Sequence, residues 1–429
     1  MLKTLIKIIL IATAVVACGG DQYVPKPRAY PRMVMPEKKY RVFDIGNNSS
    51  YFNADDQTDL NNRKVFEKVA NKCYLPANKI FLELLQKNPQ FKISYSLSGV
   101  FMEQAEEFMP EVIESFQKLV ATGRVEILDE TYYHSLSFLY SREEFESQIK
   151  LHRKKVEELF NVTPTVFRNT ELIYNDYIGQ IVEGLGYKGI LTEGADKILG
   201  WQSPNYLYKA YGTQNLKLLL KNYKLSDDVA FRFSEKTWKE HPLTVDKYVQ
   251  WLNIPQGDVI NLFMDYETFG EHQWEDSGIF EFLKHFPGEV LKNPHNAFMT
   301  PSEAVEKLNT VSELSVPNYI SWADTERDLS AWMSNSIQHD AMQKLFQLEK
   351  RVIGSSDPVL IHDWRKLTTS DHFYYMCTKW FSDGDVHKYF NPYETPYDAF
   401  ITFMNVLKDL ELRLSQLEQQ YDGAAGTSN

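Results

Sequence analysis

The chain has 429 residues, 43% hydrophobic and 24% charged, enough for one large core and a smaller second one. Its 46 basic and 58 acidic residues give a net charge of −12, which argues against nucleic acid as the main partner, because phosphate binding needs a basic face; a neutral substrate meets no such repulsion. Aromatic residues reach 14%, and flat amphipathic rings suit sugar faces as well as cores.

The N-terminus, MLKTLIKIILIATAVVACGGD, sets Lys3 and Lys7 around an apolar run too short for a permanent membrane helix, and reads as a signal peptide over residues 1–17. Val15-Val16-Ala17-Cys18 resembles a bacterial lipobox. That implies lipidation at Cys18 and a membrane-anchored lipoprotein of the periplasm or outer membrane, with the lipid as its only membrane contact. Cys73 and Cys377 then remain, too far apart to form a disulfide framework, and are expected to be reduced packing residues. Residues 18–40 hold four prolines and no helical period, and are expected to form an extended tether. The runs YVPKPRAY and PEKKY within them resemble the mature start of gliding-motility lipoprotein D.

From Arg41 onward strand-like and helical runs alternate. Phe91–Leu97 alternates with period two, while Val125–Leu128, Thr165–Phe167, Gly189–Leu191 and Val259–Met264 are short apolar runs of buried-strand type. Between them, Ser141 and Glu144 form a capping box ahead of Phe145, Ile149, His152, Val156 and Leu159 at helical spacing, with His152 expected in the core. Such alternation implies a parallel sheet or barrel with helices outside it and chemistry at the C-terminal strand ends. Carboxylates follow four of these strands: Asp129 and Glu130, Glu171, Glu193, and Asp265 with Glu267. Beyond Pro287 the strand signal fades, and Asp398–Leu417 carries a helical apolar stripe. The organisation expected is a barrel over 41–290, a helical domain over 291–420 and a disordered tail over 421–429.

Paired carboxylates at facing strand ends suit glycoside hydrolysis, by retention at about 5–5.5 Å separation or by inversion when further apart. The ten histidines show no pair at the spacing of short metal-ligand motifs, no G-x-S-x-G elbow occurs, and no glycine-rich phosphate cradle is present. No metal or other cofactor is expected.

The runs CYLPAN (73–78), VFRNTELIY (166–174), GWQSPNYLY (200–208), KLSDDVAFRFS (224–234), FMDYETFGEH (263–272), SWADTERDLSAW (321–332) and TSDHFYYM (369–376) resemble glycoside hydrolase family 57, in its α-amylase-like branch, over about residues 40–417. The resemblance implies an α/β fold, an incomplete seven-stranded (β/α) barrel followed by a C-terminal helical domain. It also implies retaining action on α-glucans or maltooligosaccharides, by hydrolysis or by transfer. Glu171 takes the place of the nucleophile and Asp265 that of the acid/base. Glu126, His134, His272, Trp274 and Asp371 are implied to bind substrate.

The chain departs from this pattern at its start, where no His-Gln-Pro occurs and the lipoprotein-like head takes the place of the first barrel strand. A weakened barrel and reduced activity are therefore expected. The competing reading from another class is an anchored glycan-binding lipoprotein without turnover. Glu171→Gln separates the two, since it abolishes turnover in an enzyme and changes nothing in a pure binder.

Overall fold

A computed structural model of the chain describes residues 6–14, 62–379, 391 and 393–426. Cys18, the 18–40 tether and the flanks of the apolar N-terminal run lie outside the described residues. Ten strands form one sheet: β1 (Ile6–Ala14), β2 (Ile93–Leu97), β3 (Val125–Leu128), β4 (Val166–Arg168), β5 (Gly189–Glu193), β6 (Leu207–Ala210), β7 (Lys217–Lys221), β8 (Val259–Asp265), β9 (Asn296–Phe298) and β10 (Thr310–Leu314).

Seven of them close a ring of parallel neighbours. β8, β1, β2 and β3 pair in turn, and so do β4, β5 and β7. The seams between these two groups are thin: Asp129 bridges Phe167, and Lys221 pairs with Asn261. This is the incomplete (β/α)₇ barrel the motifs implied. β6 runs antiparallel to β7, β10 parallel to β6, and β9 lies beside the start of β1. Helices such as Pro110–Val120, Arg142–Phe160 and Asp176–Gly184 make the crossovers that parallel neighbours require.

The first strand is not replaced. Ile6–Ala14, expected to be part of a signal peptide, is β1 in the folded chain, with Ile11 paired to Ser94 on one side and to Phe263 on the other. Hydropathy alone does not separate a short leader core from a buried parallel strand. Ile6, Ile8, Ile9, Ile11 and Thr13 are β-branched, which favours a strand flanked on both sides. The expectation of a barrel missing its first wall is corrected accordingly.

Other expectations change for similar reasons. β2, which alternates with period two in the sequence, is buried along its whole length, Ser94 and Ser96 included. The Ser96 hydroxyl donates to Glu130 Oε1 at 2.6 Å. The sheet also continues past residue 290 through β9 and β10, and the first compact unit, built on β1, 66–134 and 145–329, ends at Leu329. Its core includes Leu128, Val166, Leu191, Leu219, Val259 and Phe263.

The second unit comprises residues 135–144 and those described from 330 on. Its long helix, Pro396–Gly426, buries Phe403, Leu407, Leu410 and Leu414, as the stripe predicted. The helix extends into the expected disordered tail, as far as Gly426. At Ser141 the hydroxyl accepts from Glu144 N–H at 3.2 Å, and the Glu144 carboxylate forks onto Arg365 at 2.8 and 3.0 Å. Cys73 and Cys377 are free and fully buried. Among the described residues no helix is long and apolar enough to cross a membrane.

Candidate active site

The C-terminal strand ends of the barrel gather the charged groups. Asp129, after β3, is fully buried and taken up by His152, Arg153 and Tyr187. His152, a core histidine as expected, also binds the Leu97 carbonyl at 2.6 Å. Glu193, at the end of β5, is 1% exposed and pairs with Arg327 at 2.9 Å. Glu267, after β8, is 2% exposed and accepts from the Tyr74 hydroxyl at 2.5 Å. Three of the converging carboxylates are thus built into the walls.

Glu130, also buried, begins a chain that reaches the surface. His134 Nδ1 lies 2.9 Å from Glu130 Oε2, and His134 Nε2 lies 2.9 Å from Glu171 Oε1. The other Glu171 oxygen, Oε2, accepts from the Trp322 indole N–H at 2.6 Å. Burial alone would push the Glu171 carboxyl up, but hydrogen bonding and charge from His134, the Arg168 charge and the Trp322 hydrogen bond hold it below its ordinary value. Burial would likewise lower His134, yet its hydrogen bonds to Glu130 and Glu171 raise it to about 9. Burial opposes ionisation of Glu130, and His134 and Arg168 outweigh it and bring that group down to about 2. Near neutral pH His134 is therefore a cation between two carboxylates.

Asp265 ends β8 at the level of Thr13 on β1. Burial raises its carboxyl, and the charge of Glu171 adds to this against His272, Arg168 and Lys221. Burial lowers the half-buried His272, against the charges of Asp265 and Glu271, which raise it. The turn beyond Asp265 depends on Gly270 (φ 122°), where a Cβ would fall 2.0 Å from the Lys72 carbonyl oxygen. Of the seven non-glycine residues with positive φ among the described residues, five stand in this rim: His134, Glu171, Leu172, Asp324 and Arg327. Strained backbone of this kind costs about 1–3 kcal/mol per residue and persists where surrounding contacts over-determine it, commonly at functional sites.

The remaining sequence candidates separate. Glu126 is not brought to the rim. It lies near the N-terminal end of β3, where its carboxylate accepts from Ser302 N–H and Oγ at 3.0 and 2.9 Å. The strand is too short to place both Glu126 and Glu130 at one edge. Trp274 is 39% exposed, with Lys72 Nζ 4.6 Å from its ring centroid. Asp371 lies in the second unit, in the helix Ser370–Tyr374. Sequence reasoning counted Glu130 among the strand-end carboxylates without giving it a part in the site, and assigned no role to Arg168, Lys221 or Trp322; the signal for Arg168 was its place three residues before Glu171. Among the described residues no group of three or more His, Cys, Asp or Glu is arranged to hold a metal ion.

A parallel barrel with ionisable side chains converging on its C-terminal rim is an architecture of enzymes. Residues 50–317 match Glycosyl hydrolase family 57, and the chain belongs to that family, an enzyme of the glycoside hydrolase type. A Methanocaldococcus jannaschii protein, provisionally named an alpha-amylase, is 47% identical over 367 residues, 83% of this chain and 78% of its own length. Among solved structures, a family 57 branching enzyme from Thermococcus kodakaraensis, in complex with glucose and additives, superposes with a TM-score of 0.67 at 15% identity, covering 96% of this chain and 90% of that one. A 4-alpha-glucanotransferase from Thermococcus litoralis superposes with a TM-score of 0.59 at 16% identity; the match covers 86% of this chain and 56% of that one. At these identities the two structures speak for the fold. The lipoprotein-like reading of the head gains nothing from these matches.

Proposed function

We propose that the protein is a retaining enzyme acting on α-glucans, with Glu171 as nucleophile and Asp265 as general acid/base. The observation that carries this reading is one of exposure. Of the carboxylates at the strand ends, Asp129, Glu130, Glu193 and Glu267 are buried, whereas Glu171 and Asp265 keep access to solvent. Their electrostatics diverge as the chemistry requires: Glu171 is held ionised, and Asp265 is pushed toward its protonated form. The α-glucan assignment draws on the names of the relatives.

In the first step a Glu171 oxygen bonds to the anomeric carbon as the glycosidic bond breaks, and Asp265 gives its proton to the departing oxygen. In the second, the Asp265 carboxylate takes a proton from water or from a sugar hydroxyl, which attacks the same carbon and releases Glu171. Water gives hydrolysis; a sugar hydroxyl gives transfer.

The test uses maltooligosaccharides. Glu171→Ala should lower kcat by roughly 10³–10⁵-fold, with partial rescue by azide through formation of a β-glycosyl azide. Asp265→Asn should spare kcat/KM for substrates whose leaving group needs no proton, while kcat falls because the second step has lost its base. Products should first appear as the α-anomer by NMR; a β-anomer, or wild-type turnover by Glu171→Ala, overturns the assignment.

A further inference from the structure

We infer that Trp322 is a positioning residue for the Glu171 carboxylate, its indole N–H fixing the oxygen that His134 does not hold. The inference rests on the reading of Glu171 as nucleophile and extends it to a residue outside the barrel strands.

The geometry is specific. Trp322 Nε1–H donates to Glu171 Oε2 at 2.6 Å while His134 holds Oε1 at 2.9 Å, so each oxygen has its own donor and the carboxylate plane is not free to rotate. The Trp322 backbone N–H also donates to the Glu171 carbonyl at 3.3 Å, tying the loop to the strained turn at both levels. The loop is itself braced. Ser321 Oγ donates to the Asp328 carbonyl at 2.7 Å and accepts from Ala323 N–H at 3.2 Å. Arg327 ties it to Glu193 at the end of β5 and lies 3.9 Å from the Tyr223 ring centroid.

The indole also carries charge on its π system. Lys221 Nζ is 4.9 Å and Arg168 Cζ 5.2 Å from the ring centroid, and both side chains are buried. Cations over an indole withdraw π density and make its N–H a stronger donor. Arg168 reaches His134 Nδ1 and Glu130 Oε2 through Nη1, at 3.4 and 3.8 Å, while its Nε and Nη2 find no hydrogen-bond partner among the described residues. An uncharged donor suits this place. It holds Oε2 without adding a second ion pair to the one His134 makes with Oε1.

The experiment replaces Trp322 with 3-benzothienylalanine, which keeps the bicyclic shape and exchanges N–H for sulfur, with Trp322→Phe as the genetically encoded counterpart. Loss of a hydrogen bond to a charged group should lower kcat roughly 10- to 100-fold, with KM within about twofold if ground-state binding is untouched. Loss of a donor raises the Glu171 pKa, so the acid limb of kcat/KM should move to higher pH by about half a unit to one unit. The melting temperature should hold for the sulfur analogue. Wild-type kcat and an unmoved acid limb overturn the inference, and so does a fall in kcat accompanied only by a lower melting temperature. Azide rescue of Glu171→Ala is measured alongside: if it fails and that variant keeps wild-type turnover, the nucleophile assignment fails, whatever Trp322 does.

Discussion

The tightest constraint at the residue scale is the Glu130–His134–Glu171 chain. His134 is raised to about 9 from an ordinary 6.5, so its contribution to stability is complete below pH 6.5 and disappears as pH rises through 9. Glu130 is lowered to about 2 from 4.5, so its contribution is complete above pH 4.5 and disappears as pH falls through 2. Both shifts describe one pair, and they overlap fully between pH 4.5 and 6.5. The gap in melting temperature between wild type and Glu130→Gln should be widest in that window and close toward either end, as calorimetry across pH would record. Gly270→Ala is a sharper lesion: with φ at 122° and the Lys72 carbonyl 2.0 Å from the new Cβ, it should cost more than about 1 kcal/mol, measured by urea titration. Glu171 and Asp265 were visible in the sequence only as two of several acids at strand ends; the burial of Asp129, Glu193 and Glu267, which no local pattern shows, is what sets them apart. Glu126 stands apart from the rim because it lies near the start of β3, whereas Glu130 follows the end of the same strand. Trp322 stayed silent because its partner is 151 positions away, beyond any local pattern.

Among elements, β1 is the decisive one. It is hydrogen-bonded on both sides, so Ile11→Pro removes a ladder N–H from a strand flanked by β2 and β8 and should cost about 3 kcal/mol or more, leaving little soluble protein. A chain begun at Cys18 should behave the same way, although it is the product that lipobox processing would leave. Soluble, active protein from that truncation would show that β1 is dispensable. The longer strands were readable as apolar runs bounded by turns, above all β8. β9 is three residues long and β10 has an exposed middle, so neither carries a pattern, and β1 shares its composition with leader cores.

For the molecule as a whole, net charge decides more than any single ion pair. With −12 charges and the neutral glucan proposed as substrate, association gains nothing from electrostatic steering. Raising salt to about 0.5 M should change kcat/KM by less than about twofold, because screening has no attraction to remove. A steep fall with salt would point to a charged substrate.

The seat of β1 also sets an order of assembly. Lys7 faces Val259, a partner roughly 250 residues further along the chain. At roughly 5–20 residues per second of synthesis, that is tens of seconds during which the apolar segment exists and one of its neighbours does not. The barrel ring therefore cannot close until β8 has left the ribosome, and in that interval the segment is open to any factor that captures nascent apolar chain. Until then the nine residues are an exposed apolar ribbon, and only afterwards a wall of the fold.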